Sequence, residues 1–290
     1  MAPGFARGPR RTANRSRGTP LTAIATTVAP PADIVNLRDL GGHRTRSGEV
    51  VRRGLAFRSA DLAGLAPGEA RAALAHLGIR TVYDLRTTPE RKVQPERPKL
   101  PGDTRYVIAD VMRDSPAGSP AHLFRLIANP PAAEAAFGNG RGVAMFEERY
   151  REFVTLPSAR AAFRRVFVGL GDTRRLPALF HCTTGKDRTG WAAAALLLLL
   201  EVPEDAVLGD YLASNAALRG TLGPALDRFE AAGGDRAWLE PLSAVRPTYL
   251  EAAFGEMRRG YGSIAGYFAV GLGIDAAGQR RLRARFIEGD

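Results

Sequence analysis

The 290-residue sequence holds one cysteine, Cys182, and only three lysines, Lys92, Lys99 and Lys186. A single cysteine excludes an internal disulfide framework and a thiolate zinc cluster. Outside an oxidising compartment it leaves that residue as a small buried hydrophobe or a nucleophile. Long apolar runs are also missing. The longest, Trp191 to Leu200, has ten residues and stops at Glu201. A bilayer-spanning helix needs about 18 or more, so this run reads as a buried core helix. The shortage of lysine governs the reading of the charge. The net charge is +11, yet 38 of the 41 basic residues are arginine. Abundant Arg, Ala, Gly and Pro with little Lys is what a GC-rich genome produces, and the arginines are scattered apart from five between Arg7 and Arg17. A nucleic-acid face is therefore not expected; the summed positive field suits an anionic substrate.

What is present is ordinary globular material, 45% hydrophobic and 24% charged, which excludes wholesale disorder. Residues 1–32 are expected to be a flexible basic N-terminal tail. Arg10-Arg11 ahead of Leu21 to Ala29 loosely has the form of a secretion signal, but threonines interrupt the run. The expected location is cytoplasmic, or secreted without a clear signal peptide. Residues 33–290 are expected to form one domain. Its pattern is α/β: strands over Val50–Phe57, Ile79–Leu85, Arg105–Ala109 and Leu176–Phe180, helices over Pro67–Leu77, Met145–Val154, Ala159–Leu170 and Thr189–Leu200. Such alternation implies a mostly parallel central sheet flanked by helices. The stretch from Ser115 to Gly142 reads as a loop-plus-helix insertion. After residue 203 only helices are expected, ending in Asp275–Ile287.

The informative stretch is His181-Cys182-Thr183-Thr184-Gly185-Lys186-Asp187-Arg188-Thr189-Gly190. Cysteine, five residues and arginine follow a short apolar strand and open a long apolar helix. A loop of that length can wrap one tetrahedral oxyanion with successive N–H groups pointing inward, and the helix N-terminus adds positive potential. Such a place favours the thiolate of Cys182. Arg188 supplies a planar fork for two phosphate oxygens. Gly185 allows a turn close to the anion. Thr183, Thr184, Lys186 and Asp187 complete the expected substrate cradle. Thr189 is placed to donate its hydroxyl to the thiolate, and His181 to orient the loop.

This loop resembles the signature of cysteine-dependent phosphatases, and its Gly-Lys-Asp-Arg-Thr-Gly form looks like the atypical bacterial tyrosine and dual-specificity phosphatases, a family that includes secreted enzymes acting on phosphoinositides. Asn36-Leu37-Arg38-Asp39-Leu40-Gly41-Gly42, Phe57-Arg58-Ser59-Ala60, Ile79 through Arg86 and Tyr261-Gly262-Ser263 are similar to further blocks of that family. The resemblance spans about Ile34 to Ile287. It implies a tyrosine-phosphatase-like fold with C-terminal helices that include a lid. It also implies attack by Cys182 through a phosphocysteine, and phosphotyrosine proteins or phosphoinositides as substrates. No metal or cofactor is expected, because the loop and Arg188 bring the positive charge.

The general acid stays open at this point. No Trp-Pro-Asp sequence occurs. Asp187 sits inside the loop, where a carboxylate beside bound phosphate favours its protonated form. Asp84 is the rival, at the end of a strand where ligands gather in parallel sheets; Asp110 and Asp114 are lesser candidates. Lys186 is expected to contact extra phosphates. Arg38, Asp39 and Arg58 read as scaffolding, and Met145, Phe146, Tyr150 and Phe153 as one helical face of core or lid underside. Two rivals fit the residues less well: a sulfur or arsenate transfer protein, and a phosphate-binding module without catalysis. Arsenate reduction of this type uses further cysteines, which are missing here, and a purely phosphate-binding module does not need Cys182, Arg188 and Thr189 together.

Overall fold

Short β-rich runs separated by helices with polar outer faces give the expected layered arrangement in the computed structural model, which describes Met1 and residues 34–96, 100–116 and 129–288. The expected tail, residues 1–32, lies outside the described residues apart from Met1. The first half contains β1 (Arg38–Asp39), β2 (Val50–Val51), β3 (Ala56–Ser59), α1 (Pro67–His76), β4 (Thr81–Asp84), α2 (Thr88–Val93) and β5 (Arg105–Ile108). Then come α3 (Pro130–Phe137), α4 (Arg141–Thr155), α5 (Pro157–Leu170), β6 (Ala178–His181) and α6 (Arg188–Leu199). The chain closes with α7 (Glu204–Ala231), α8 (Arg236–Ser243), α9 (Pro247–Tyr261), α10 (Ala276–Phe286) and β7 (Ile287–Glu288).

The main sheet has the order β1-β3-β6-β4-β5. Strands β3, β6, β4 and β5 run parallel, and β1 is antiparallel to β3. Both Ser59 and Asp84 pair with His181, so three strands end at one level beside Cys182. Side chains alternate across a strand, and the two cores record it. Ala56, Tyr83, Phe180 and Cys182 face the larger cluster, which holds α4, α5 and α6. Phe57, Val82 and Leu179 face a smaller one under α1. Helix α6 is apolar all round and buried, with Trp191, Leu196 and Leu197 fully enclosed. Truncating one such leucine to alanine costs about 2–5 kcal/mol.

Two expectations need correction. The single strand over Val50–Phe57 is two strands, because Gly54 turns at φ 74° and its N–H is held by Asp39 Oδ2 at 2.7 Å. The region after 203 is not wholly helical, because β7 pairs antiparallel with β2. Sequence periodicity also overlooks α2 and β1, each too short to show a period.

Candidate active site

Three loop carbonyls point away from the centre of the 182–188 turn, and each is held by a different piece of scaffold. Thr183 O accepts Asp61 N at 3.1 Å. Thr184 O accepts Asn36 Nδ2 at 3.1 Å. Gly185 O accepts Arg58 Nη2 at 2.9 Å. A peptide plane with its carbonyl turned out turns its amide in. Accordingly, no acceptor among the described residues takes the N–H groups of Thr183, Thr184, Gly185, Lys186 or Asp187. Asp187 O accepts Trp191 N and so begins α6, whose N-terminus faces the same centre. The result is a concave row of free donors at a helix end, which is a site for a tetrahedral oxyanion.

Gly185 is required where it stands. Its φ is +68°, and a Cβ there would lie 2.2 Å from the Ser59 carbonyl oxygen. The close approach of β3 to the loop explains the roles of the N-terminal motifs. Arg58, fully buried, ties Gly185 O to Asp210, which it meets at 2.5 Å. Arg38 bonds Asp210 at 3.1 Å and reaches Asn36 and Ser214. Asp39 accepts Gly41 N and Gly54 N. None of the three points at the anion site; all brace it.

Cys182 is buried at the head of the loop. Arg188 forms a two-pronged pair with Glu90: Nη1 to Oε2 at 2.8 Å and Nη2 to Oε1 at 2.7 Å. Nη1 also leans on Leu85 O at 3.4 Å. These bonds leave the Nε–H/Nη2–H edge, a second planar fork for phosphate oxygens. Burial opposes the Arg188 charge, but Glu90 and then Cys182 outweigh it and raise the guanidinium above its ordinary value. Burial likewise opposes the Glu90 carboxylate, and Arg188, Thr183 and Thr87 together hold it well below the usual range.

Glu90 is a site residue that the sequence reading missed. It accepts Thr87 N at 2.8 Å and both Thr87 and Thr183 hydroxyls at 2.6 Å. Thr87, two residues and Glu90 form a capping box, and Pro89 stands in the first turn of α2. That pattern was legible and would have found both the helix and the glutamate.

The two aspartates proposed for proton transfer are separated by the sheet. Asp187 lies on the loop side, 18% exposed, with Lys186 Nζ at 2.8 Å. Lys186 itself is buried and lies 4.9 Å over the Phe146 ring. Asp84 points to the other face with His181. Arg86 grips it at 2.8 Å, Tyr106 donates to it, and its side chain is 0% exposed. Burial opposes the Asp84 charge, yet His181, Arg86 and Tyr106 hold its carboxyl down to about 2. The structure therefore does not bring Asp84 to the anion site. Of the lesser candidates, Asp110 accepts Thr88 N and Met112 N, and Asp114 accepts Ser158 at the start of α5.

His181 completes the sealed cluster. Its Nδ1 lies 3.3 Å from Cys182 O and its Nε2 3.2 Å from Glu96. Burial opposes its charge, but Glu96 and Asp84 push it up to about 9. Asp84, Glu96 and His181 bring ligand atoms within 4.8 Å of one another. Arg86 Nη2, 2.8 Å from Asp84 and 3.1 Å from Glu96, already supplies the cation there, and a protonated imidazole offers no lone pair. Thr189 is buried, and its hydroxyl bonds no described residue, Cys182 included. No helix among the described residues is long and apolar enough to cross a membrane.

Comparison with known sequences identifies the family. A family described as the tyrosine phosphatase family matches residues 30–288. A Cupriavidus necator protein named a tyrosine-protein phosphatase is 37% identical over 261 residues, 88% of this chain and 87% of its own. The triple specificity protein phosphatase PtpB of Mycobacterium tuberculosis is 32% identical over 271 residues, 86% of this chain and 95% of its own. A tyrosine-protein phosphatase of Nostoc commune is 29% identical over 234 residues, 79% of this chain and 72% of its own. The match extends from before β1 to β7 and takes in the anion loop with every brace described above: this chain belongs to the tyrosine phosphatase family.

Proposed function

We propose that the chain hydrolyses phosphotyrosine through a phosphocysteine on Cys182, with Asp187 as the proton donor. The observation that carries this reading is the outward orientation of the Thr183, Thr184 and Gly185 carbonyls, which leaves the loop's N–H groups directed at one point beside Cys182. Sγ attacks phosphorus as the bond to the leaving oxygen breaks, and Asp187 gives that oxygen its proton. Water then attacks phosphorus, the S–P bond breaks, and the Asp187 carboxylate takes the water's proton. The inward N–H groups and the open edge of Arg188 hold the three equatorial oxygens in both steps. Glu90 keeps Arg188 in that orientation. His181 acts behind the loop, through the Cys182 carbonyl, and Thr189, whose buried hydroxyl has no partner among the described residues, is the donor assigned to the thiolate.

Substrates extend, on this reading, to phosphoserine, phosphothreonine and phosphoinositides. The Mycobacterium tuberculosis relative is named for triple specificity, and Lys186 places a second cation beside Arg188, held among the described residues by Asp187 and an aromatic face. The second half of α7 with α3 and α8 rests on a satellite core of Ala133, Phe137, Phe229 and Leu239, and that small helical layer is the proposed lid.

The test is hydrolysis of para-nitrophenyl phosphate with EDTA present, native chain against Cys182→Ser. Full activity in EDTA, its loss in the variant and a trapped phosphoenzyme in the native chain are expected. Activity that survives the substitution sinks the reading. Lys186→Ala is expected to lose more rate on phosphoinositides than on a phosphotyrosine peptide; equal losses assign Lys186 to the loop alone.

A further inference from the structure

Two tyrosines on different helices end at the carboxylate of the loop. Tyr150 of α4 donates its hydroxyl to Asp187 Oδ1 at 3.0 Å. Tyr211 of α7 donates to the Tyr150 hydroxyl at 2.6 Å. Both rings are buried and meet edge to face at 6.1 Å. Each hydroxyl has one proton to give, so the chain of bonds has a direction, from Tyr211 through Tyr150 to Asp187. Burial, and after it the Asp187 charge, raises both hydroxyls well above their ordinary value. They stay donors throughout the working range. Gly190 permits the arrangement: a Cβ there would lie 2.9 Å from the Tyr211 ring.

A buried hydroxyl needs a partner whatever its purpose, so mutual satisfaction of two tyrosines is the simple account. Two features exceed it. The terminal acceptor is not a backbone carbonyl but the loop's own carboxylate. The residue before Tyr211 is Asp210, which holds Arg58 on Gly185 O at the other side of the same loop. One turn of α7 thus fixes both the anion cradle and the carboxylate beside it.

We propose that Tyr150 and Tyr211 are positioning residues for proton transfer at Asp187. This rests on the reading of Asp187 as the donor. Lys186 Nζ reaches both carboxylate oxygens, Oδ1 at 2.9 Å and Oδ2 at 2.8 Å, whereas Tyr150 bonds Oδ1 alone; when substrate phosphate draws Lys186 away, Oδ2 is the oxygen left to carry the transferable proton. When the bond from phosphorus to the leaving oxygen breaks, that proton passes to the oxygen and the O–H electron pair stays on the carboxylate. Tyr150 then stabilises the new charge. The tyrosines keep their own protons.

The experiment compares the full chain with Asp187→Asn, Tyr150→Phe, Tyr211→Phe and the control Tyr267→Phe. Tyr267 is also buried, and its hydroxyl accepts a bond from Trp191. Substrates are phenyl phosphate, whose leaving group needs a proton, and para-nitrophenyl phosphate, whose leaving group needs it less. Asp187→Asn is expected to lose about 10²-fold or more in kcat on phenyl phosphate and far less on the nitrophenyl ester. Tyr150→Phe should follow the same pattern at about tenfold, Tyr211→Phe at about threefold, with KM unchanged and Tyr267→Phe silent. If Asp187→Asn shows the leaving-group dependence and the tyrosine variants lose rate equally on both substrates, or lose none, the positioning role is overturned. If Asp187→Asn itself shows none, the donor assignment fails and the positioning role fails with it. Thermal denaturation of each variant separates a folding defect from either result.

Discussion

Asp84 ends β4 and Asp187 stands at the start of α6, and the sheet gives them opposite surroundings. Asp187 stands on the rim of the loop, partly exposed, with Lys186 and Tyr150 as partners. Asp84 is enclosed with Arg86, Glu96, Tyr106 and His181 on the far face. The rim carries donors that a substrate can displace or join. The enclosed cluster has every charge already opposed, and nothing arriving from solvent reaches it. Reactivity needs a group whose partners can change during the reaction. Support needs a group whose partners cannot. The two clusters lie back to back, joined through one peptide, since His181 bonds the carbonyl of Cys182.

The largest effect that would sharpen this contrast lies on the open side. Arg188→Lys replaces two planar edges with one point charge. It should lower kcat/KM by about 10³-fold, the scale of a lost transition-state donor, while Tm moves by only a few degrees. A loss near tenfold would mean that the amides of the loop do nearly all the work. On the enclosed side the order of effects reverses. Asp84→Asn leaves Arg86 and His181 short of a counter-charge in a dry site, a cost of about 3–5 kcal/mol. That corresponds to a fall in Tm of about 10 °C, with kcat of the folded enzyme within about threefold of native. If Asp84→Asn instead kept its Tm and lost rate selectively on poor leaving groups, the division between rim and interior would collapse.

The sequence made one of these regions far more legible than the other. Cys182 to Arg188 is contiguous, and its chemistry follows from local spacing, so the loop, its helix and its strand could be placed without a fold. Three of the four parallel strands, β4, β5 and β6, are legible for the same reason, each lying in a short β-rich run. The split of Val50–Phe57 was not found, because Gly54 takes its turn from a hydrogen bond to Asp39 fifteen positions away. Asp84 could not be told from Asp187 because the distinction is which face of β4 it occupies, and that depends on register with β6. Tyr150 and Phe146 read as core, as most buried aromatics are; only the packing of α4 on the loop shows that one bonds Asp187 and the other covers Lys186. Glu90 is the exception, a long-range partner announced by a local capping box.

The smallest effect is a pH dependence, and it tests whether the enclosed cluster is charged as described. His181 is pushed up to about 9 by Glu96 and Asp84 against the opposition of burial, while an unfolded histidine titrates near about 6.5. A raised value means that the folded chain binds the proton more tightly. The stabilisation is therefore complete below about pH 6.5 and is lost as pH rises through 9. Asp84, held down to about 2, contributes in the opposite sense: its stabilisation is present above about pH 4 and fades as pH falls toward 2. Between these limits Tm should be flat, with a fall of about 5 °C from pH 7 to pH 10. His181→Asn can keep a donor near Cys182 O but has no charge to lose, so its alkaline slope should be shallower than that of the native chain while its Tm at pH 7 is lower. Equal alkaline slopes in the two proteins would place the proton elsewhere. The balance between Asp84, Glu96 and Arg86 would then have to close without an imidazolium, and the back of the loop would be held by neutral hydrogen bonds alone.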